Sequence, residues 1–253
     1  MSNDPRGDDR EAVAVLVHGG TLTSTMWDPV RAHLVTRSVA LDLPGRRYKP
    51  ADLGQVTIDD WVTSVCADID EAGLADVVLV GHSSAGYVLP GVAARLAGGS
   101  STRLHAVVFV SATVPADGER PVDVLRDDIK TLATDHRELT LESARGRTIG
   151  GLRPDEPPIE TELEIVENGP RMGLEAPLVL FEPVSWVGFP KEVPRVYVRA
   201  LRDKVIPPEL ADRMITAMGG AKVIDLEAGH RSYDTHPAEL AAVIDECSAG
   251  VHA

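Results

Sequence analysis

Val77-Val78-Leu79-Val80-Gly81-His82-Ser83-Ser84-Ala85-Gly86 carries an apolar run straight into a serine flanked by small residues. Such a run reads as a buried strand that turns sharply into a helix, with Ser83 held at the strained junction and its hydroxyl presented outward. A bulky side chain at the first or last flanking position would clash in that turn, and Gly81 and Ala85 meet the need. Ser83 rather than Ser84 is therefore the expected nucleophile, because a shift of register by one would put His82 where a small residue is required. A plain strand-to-helix turn is the alternative reading of these letters alone.

Two further signals favour the reactive reading. Upstream, Val13-Ala14-Val15-Leu16-Val17-His18-Gly19-Gly20 is another buried strand ending in a histidine and glycines. Downstream, Asp203 follows the strand-like Val196-Tyr197-Val198, and His230 follows Val223-Ile224-Asp225-Leu226. Each residue falls just past a strand end, the sheet edge at which open α/β folds hold their sites. Serine, acid and histidine come in that order along the chain, and the levels of reading agree with one another.

A chain of 253 residues, 43% apolar and 25% charged, is long enough to bury one substantial core. Strands are expected near 12–18, 37–42, 76–81, 104–111, 194–201 and 221–227, with helices over Trp27–Thr36, Ile58–Glu71, Ser84–Ala97, Pro208–Met218 and Pro237–Cys247. Thr57 and Asp60 offer a capping box for the second helix. Alternation of this kind predicts an α/β fold with a mainly parallel sheet of about six strands flanked by helices. Between Thr113 and Val193 the strand rhythm stops and prolines accumulate, so 12–115 and 194–250 are expected to form the core and 116–193 an inserted cap. A helical pattern runs through Val122–Leu139 of that cap. The segment carries 17 acidic against 9 basic side chains. A solvated face accounts for such a pattern, and as a cap it would repel anionic substrates. Leu178, Leu180, Phe181, Trp186 and Phe189 either line a pocket there or form the cap's own core.

The net charge of −14 disfavours nucleic acid and anionic membrane surfaces as partners. Cys66 and Cys247 make neither a disulfide framework nor a metal-ligand cluster, which fits a reducing compartment. The polar stretch Met1–Glu11 does not read as a signal peptide or anchor, so a cytoplasmic protein acting on a small molecule is expected.

A serine hydroxyl is a weak nucleophile at neutral pH, so His230 would take its proton and Asp203 would hold the imidazole. The developing oxyanion needs fixed donors, for which the backbone N–H groups of Gly20 and Ser84 are the candidates. No metal or organic cofactor is required by this chemistry. His18 and His82 read as structural, Asp117 competes with Asp203 for the acid role, and His236 reads as a helix start before Pro237.

On these residues the chain resembles the α/β-hydrolase superfamily, and more narrowly the small branch of plant methyl esterases, hydroxynitrile lyases and bacterial esterases. The resemblance is carried by Leu16-Val17-His18-Gly19-Gly20, Trp27, Leu41-Asp42-Leu43-Pro44-Gly45, Gly81 to Gly86, Val108-Phe109-Val110-Ser111-Ala112, Asp203 and Gly229-His230. It implies a Ser83, Asp203, His230 triad with oxyanion donors at Gly20 and Ser84, and a serine hydrolase cleaving a carboxylic ester or lactone. A lyase using the same residues as a proton relay is the alternative it leaves, as is a ligand receptor or a non-hydrolytic cyclase. In the hydroxynitrile lyases a threonine follows the first histidine and a lysine the last. Here Gly19 fits an esterase, and Arg231 keeps a cation in the second place. The branch usually has a second histidine-glycine pair and a tryptophan where this chain has Leu22-Thr23 and Thr25. After Gly45 come Arg46-Arg47, either solvated surface cations or readers of a substrate carboxylate or phenolate.

Overall fold

The computed structural model describes residues 12–46, 49–138, 142 and 175–249. Six strands, β1 (Val13–Val17), β2 (Ser38–Leu41), β3 (Asp76–His82), β4 (Arg103–Val110), β5 (Arg195–Ala200) and β6 (Lys222–Leu226), form one sheet in the order β2-β1-β3-β4-β5-β6. Every pairing is parallel, with Val15 opposite Val39 on one side and Leu79 on the other. All six lie within a residue or two of the spans expected from the sequence.

From β1 inside the sheet the chain steps outward to β2 and then crosses back past β1 to β3. Connections leaving β1 and β3 therefore diverge, which opens a crevice at their carboxyl ends. That crevice receives the His18-Gly19-Gly20 loop from β1 and the Ser83 turn from β3.

Alternate residues of the inner strands feed two cores, because side chains on a strand point to opposite faces in turn. Val15, Val17, Val77, Leu79, Val107, Phe109 and Tyr197 pack on one face against α2 (Ile58–Glu71), α3 (Leu89–Ala97) and α5 (Pro208–Ala217). Ala14, Leu16, Val78, Val80, Val108, Val110 and Val198 pack on the other against α1 (Asp28–Arg31), α6 (Ser232–Thr235) and α7 (Pro237–Ala249). Burial on both faces is why β1 and β3 are apolar without a polar alternation. Edge strand β6 departs from this, with Lys222, Val223 and Asp225 exposed.

Helix α2 starts on the expected capping box: the Asp60 N–H donates to the Thr57 hydroxyl at 3.1 Å, and the Thr57 N–H donates back to the Asp60 carboxylate at 2.9 Å. The helix expected over Trp27–Thr36 is shorter. A 3₁₀ turn over Ser24–Trp27 leads into α1, which stops at Arg31. Beyond it the Asp245 carboxylate on α7 accepts the N–H groups of Val35 and Thr36 at 3.1 and 2.9 Å, so a tertiary partner takes donors that a longer helix would use.

Of the segment 116–193, residues 139–174 lie outside the described residues apart from 142. The chain enters and leaves this segment side by side. The Gly118 N–H donates to the Val184 carbonyl, and the Val184 N–H donates to the Glu119 carbonyl, both at 2.9 Å. The helix expected over Val122–Leu139 is a 3₁₀ turn (Pro121–Val124) followed by α4 (Asp127–Asp135), because Leu125 and Arg126 are extended between them. Arg126 is the N-cap of α4, and its guanidinium reaches both the Lys204 carbonyl and the Asp128 carboxylate. Leu180, Trp186 and Phe189 pack on the core, Trp186 lying between Phe109 and Phe189 with ring centroids 6.3 and 4.9 Å away. The Trp186 indole N–H also donates to the Pro115 carbonyl at 2.9 Å, so these aromatics anchor the segment to the sheet. Among the described residues no helix is long and apolar enough to cross a membrane.

Candidate active site

Strand β3 ends at His82, and Ser83 follows in the left-handed region with φ +53°. A non-glycine residue there is strained, and the strain persists only where the surroundings over-determine it. The surroundings here are tight. A Cβ added at Gly81 would lie 2.8 Å from the Ala85 Cβ and 2.9 Å from the Leu89 Cδ1, while one at Gly86 would collide with the Thr113 carbonyl oxygen. Gly86 thus joins Gly81 and Ala85 as a position that must stay small, a requirement not read from the sequence. The Thr113 N–H donates to the Ser83 carbonyl at 3.0 Å, so the segment after β4 that would have to move is also the one that holds the turn. Gly86→Ala is expected to destabilise the fold by about 2 kcal/mol or more through overpacking. Its melting temperature measures this; a value equal to wild type would mean the turn is not constrained there.

The loops after β5 and β6 bring Asp203 and His230 to this serine. His230 Nδ1 lies 2.8 Å from Asp203 Oδ2, and His230 Nε2 lies 3.1 Å from Ser83 Oγ. Asp203 is buried, and its other oxygen accepts the N–H groups of Val205 and Ile206, each at 2.8 Å. Those two bonds satisfy the carboxylate and fix its plane. The rival Asp117 points elsewhere, accepting the Trp186 N–H at 2.8 Å. His236 Nδ1 sits beside the Thr235 hydroxyl just before α7.

The glycines after β1 let that loop lie against the serine turn. A Cβ on Gly19 would fall 2.6 Å from His82 Nδ1 and 3.1 Å from the Ser83 Cβ, and one on Gly20 would fall 3.4 Å from Ser84 Oγ. Ser84 is the second residue of the 3₁₀ helix Ser83–Tyr87, whose first N–H groups have no intrahelical acceptor. Gly20 and Ser84 are thereby adjacent, flanking Ser83.

His18 and His82 are buried and brace the site from behind. The Leu43 N–H donates to His18 Nε2 at 3.1 Å, so its proton sits on Nδ1 and is donated to the Gly19 carbonyl at 2.8 Å. His82 Nε2 donates to the His230 carbonyl at 2.9 Å, and its ring lies 4.8 Å from that of His230. Burial, with the Arg46 guanidinium second, pulls the His18 pKa down to about 3, and burial pulls His82 well below the usual imidazole value. Both rings stay neutral in the fold, whereas the unfolded chain protonates them below about pH 6.5. Stability contributed by each is present above pH 6.5 and is lost as pH falls from there toward the folded value near 3 for His18. Denaturant titrations should therefore give about 2 kcal/mol less stability at pH 5 than at pH 7 from His18, with His82 lowering it further in the same direction. Equal stabilities at the two pH values would show that these rings accept protons in the fold.

Arg46 is not a solvated surface cation. It is wholly buried, its Nε donates to the Leu22 carbonyl at 2.8 Å, and its Nη2 donates to both oxygens of Glu175 at 2.6 and 2.7 Å. Arg47 lies outside the described residues. Arg231 pairs with Asp234 at 3.0 Å and lies over the Tyr233 ring.

A parallel sheet with a strained serine at one strand end, and an aspartate and histidine delivered from two later strand ends, defines the α/β-hydrolase class. Residues 14–243 match the sequence profile of the alpha/beta hydrolase family, and the chain belongs to that family. Among curated relatives, Lipase LipV of Mycobacterium tuberculosis is 28% identical over 94% of this chain and 94% of its own length. Methylesterase 17 of Arabidopsis thaliana is 22% identical over 94% of this chain and 91% of its own. Among solved structures, an extracellular alpha/beta-hydrolase from a Paenibacillus species superposes with a TM-score of 0.73 at 20% identity, covering 93% of this chain and 98% of that one.

Proposed function

We propose that the protein is a serine-dependent carboxylic ester hydrolase that works through an acyl-enzyme intermediate on an ester or lactone of a small, partly apolar molecule. The observation that carries this reading is the hydrogen-bonded chain from Asp203 through His230 to Ser83. Two of its relatives bear the names of ester hydrolases, a lipase and a methylesterase, which supports the same class.

In this reading Ser83 Oγ attacks the carbonyl carbon while His230 Nε2 takes its proton, and the buried Asp203 carboxylate stabilises the imidazolium that forms. The carbonyl oxygen gains charge and is received by the N–H groups of Gly20 and Ser84. His230 then returns its proton to the departing alcohol, leaving an ester on Ser83. Water, deprotonated by His230, attacks that ester, and the acid leaves as Ser83 regains its proton. His82, donating to the His230 carbonyl, keeps the loop bearing the base in place through both steps. The lyase reading is disfavoured by the contact at position 19, where a threonine would press on His82 Nδ1.

Residues 116–193 are proposed to cap the core formed by 12–115 and 194–250. The hydrogen-bonded entry and exit stretches of that segment at Gly118, Glu119 and Val184 support an insertion at this point.

Partitioning tests the intermediate. Esters sharing one acyl group but differing in alcohol, hydrolysed with hydroxylamine present, should give one ratio of hydroxamate to acid. A ratio that follows the alcohol would contradict a common acyl-enzyme, and a folded protein that cleaves no ester or lactone would contradict the function.

A further inference from the structure

The loop Gly19–Leu22 contains the proposed oxyanion donor Gly20, yet two successive glycines leave its peptide planes free to rotate. Two side chains grip it, Arg46 wholly buried and Glu175 partly so. The Thr21 N–H, the amide next to Gly20, donates to Glu175 Oε2 at 2.6 Å, and the Leu22 carbonyl accepts from Arg46 Nε at 2.8 Å. Thr21 itself is held in the left-handed region at φ +59°, a conformation that a β-branched residue adopts only under constraint. The Glu175 carboxylate stands against Gly20, 3.0 Å from where a Cβ would be.

All the acceptor capacity of Glu175 is committed. Oε2 takes the Thr21 N–H and Arg46 Nη2, and Oε1 takes Arg46 Nη2 and the Ala176 N–H at 3.0 Å. No lone pair is left for a substrate donor. An unpaired carboxylate beside the oxyanion would oppose the charge that the site must stabilise, and the wholly buried Arg46 offsets it. The pair is thus charge-neutral toward the reaction and directional toward the loop. It joins residues 129 positions apart, one after β2 and one just before the 3₁₀ turn Pro177–Leu180.

We propose that Glu175, together with Arg46, is a positioning residue for the reaction: it fixes the Gly19–Leu22 loop so that the Gly20 N–H faces the carbonyl oxygen in the transition state. This rests on the ester-hydrolase reading above. It follows that the pair acts on transition-state stabilisation and leaves ground-state binding alone.

The test compares wild type with Glu175→Ala, with the double variant Glu175→Ala/Arg46→Met, and with Glu175→Gln/Arg46→Met. Each is assayed for kcat and KM on a p-nitrophenyl ester, inhibition by a trifluoromethyl ketone, and melting temperature. Glu175→Ala should lose about 10- to 100-fold in kcat, with KM within about threefold and inhibition weakened in parallel with kcat. The alanine double variant, freed of an unpaired buried cation, should regain melting temperature but not kcat. The glutamine double variant keeps an oxygen for the Thr21 N–H and should regain most of the rate. If Glu175→Ala does not fold, the two double variants decide the matter. Wild-type kcat in the alanine double variant, or a rate that follows melting temperature across the series, would overturn the role. A wild type that hydrolyses no ester would overturn the functional reading beneath it instead.

Discussion

Ser83→Ala is expected to lower ester turnover by about 10⁶-fold, the scale on which serine hydrolases lose rate when the nucleophile is removed. The loss is that large because the remaining groups serve the departed hydroxyl. His230 Nε2, 3.1 Å from Ser83 Oγ, has no other oxygen to deprotonate in the acylation step, and the Gly20 and Ser84 N–H groups would polarise a carbonyl that nothing attacks. Stability should change little or rise slightly. The strained left-handed residue stays at φ +53° with either side chain, and the Thr113 N–H still finds the carbonyl of residue 83. Steady-state kinetics with a melting curve on the same sample measures both. Turnover within tenfold of wild type in a folded variant would move the nucleophile away from Ser83.

Asp203→Asn is expected to cost about 10⁴-fold in kcat, and the direction of the effect follows from the two backbone donors behind the carboxylate. Val205 and Ile206 both give their N–H groups to one oxygen of Asp203. An asparagine must keep its only oxygen there, which turns its NH₂ toward His230 Nδ1. The imidazole can meet that donor only with a lone pair on Nδ1, so its proton is forced onto Nε2, the nitrogen facing Ser83. A protonated Nε2 cannot accept the serine proton. Asp117→Asn, by contrast, alters a carboxylate that accepts the Trp186 N–H and should stay within a few-fold of wild type. If the two variants exchanged these outcomes, the acid would be Asp117.

What was legible in the sequence is what local patterning encodes. Largely apolar spans of six to eight residues marked the strands, and the small residues around Ser83 marked the turn, because backbone strain there excludes larger side chains whatever the rest of the chain does. Asp203 and His230 could be ranked from their places just past strand ends, since in a parallel sheet all such ends gather on one edge. Arg46 and Glu175 were not legible. An arginine after a turn and a glutamate in an acidic stretch look like solvated charges, and nothing local records that 129 residues apart they bury against each other. The need for glycine at 86 was hidden for the same reason, because its neighbour is the Thr113 carbonyl from the next strand connection. The helix expected over Trp27–Thr36 failed where Asp245, far along the chain, claimed its backbone donors.

The reactivity of Ser83 can be examined without knowing the natural substrate. A fluorophosphonate reacts with a serine whose proton has somewhere to go and whose developing oxyanion is received, so labelling reports the assembled site. Wild type and Ser83→Ala would be treated side by side and read by intact mass and peptide mapping. The account predicts a single adduct on wild type, mapped to Ser83 and absent from the variant. No adduct on folded wild type, or an adduct that persists in Ser83→Ala, would contradict it.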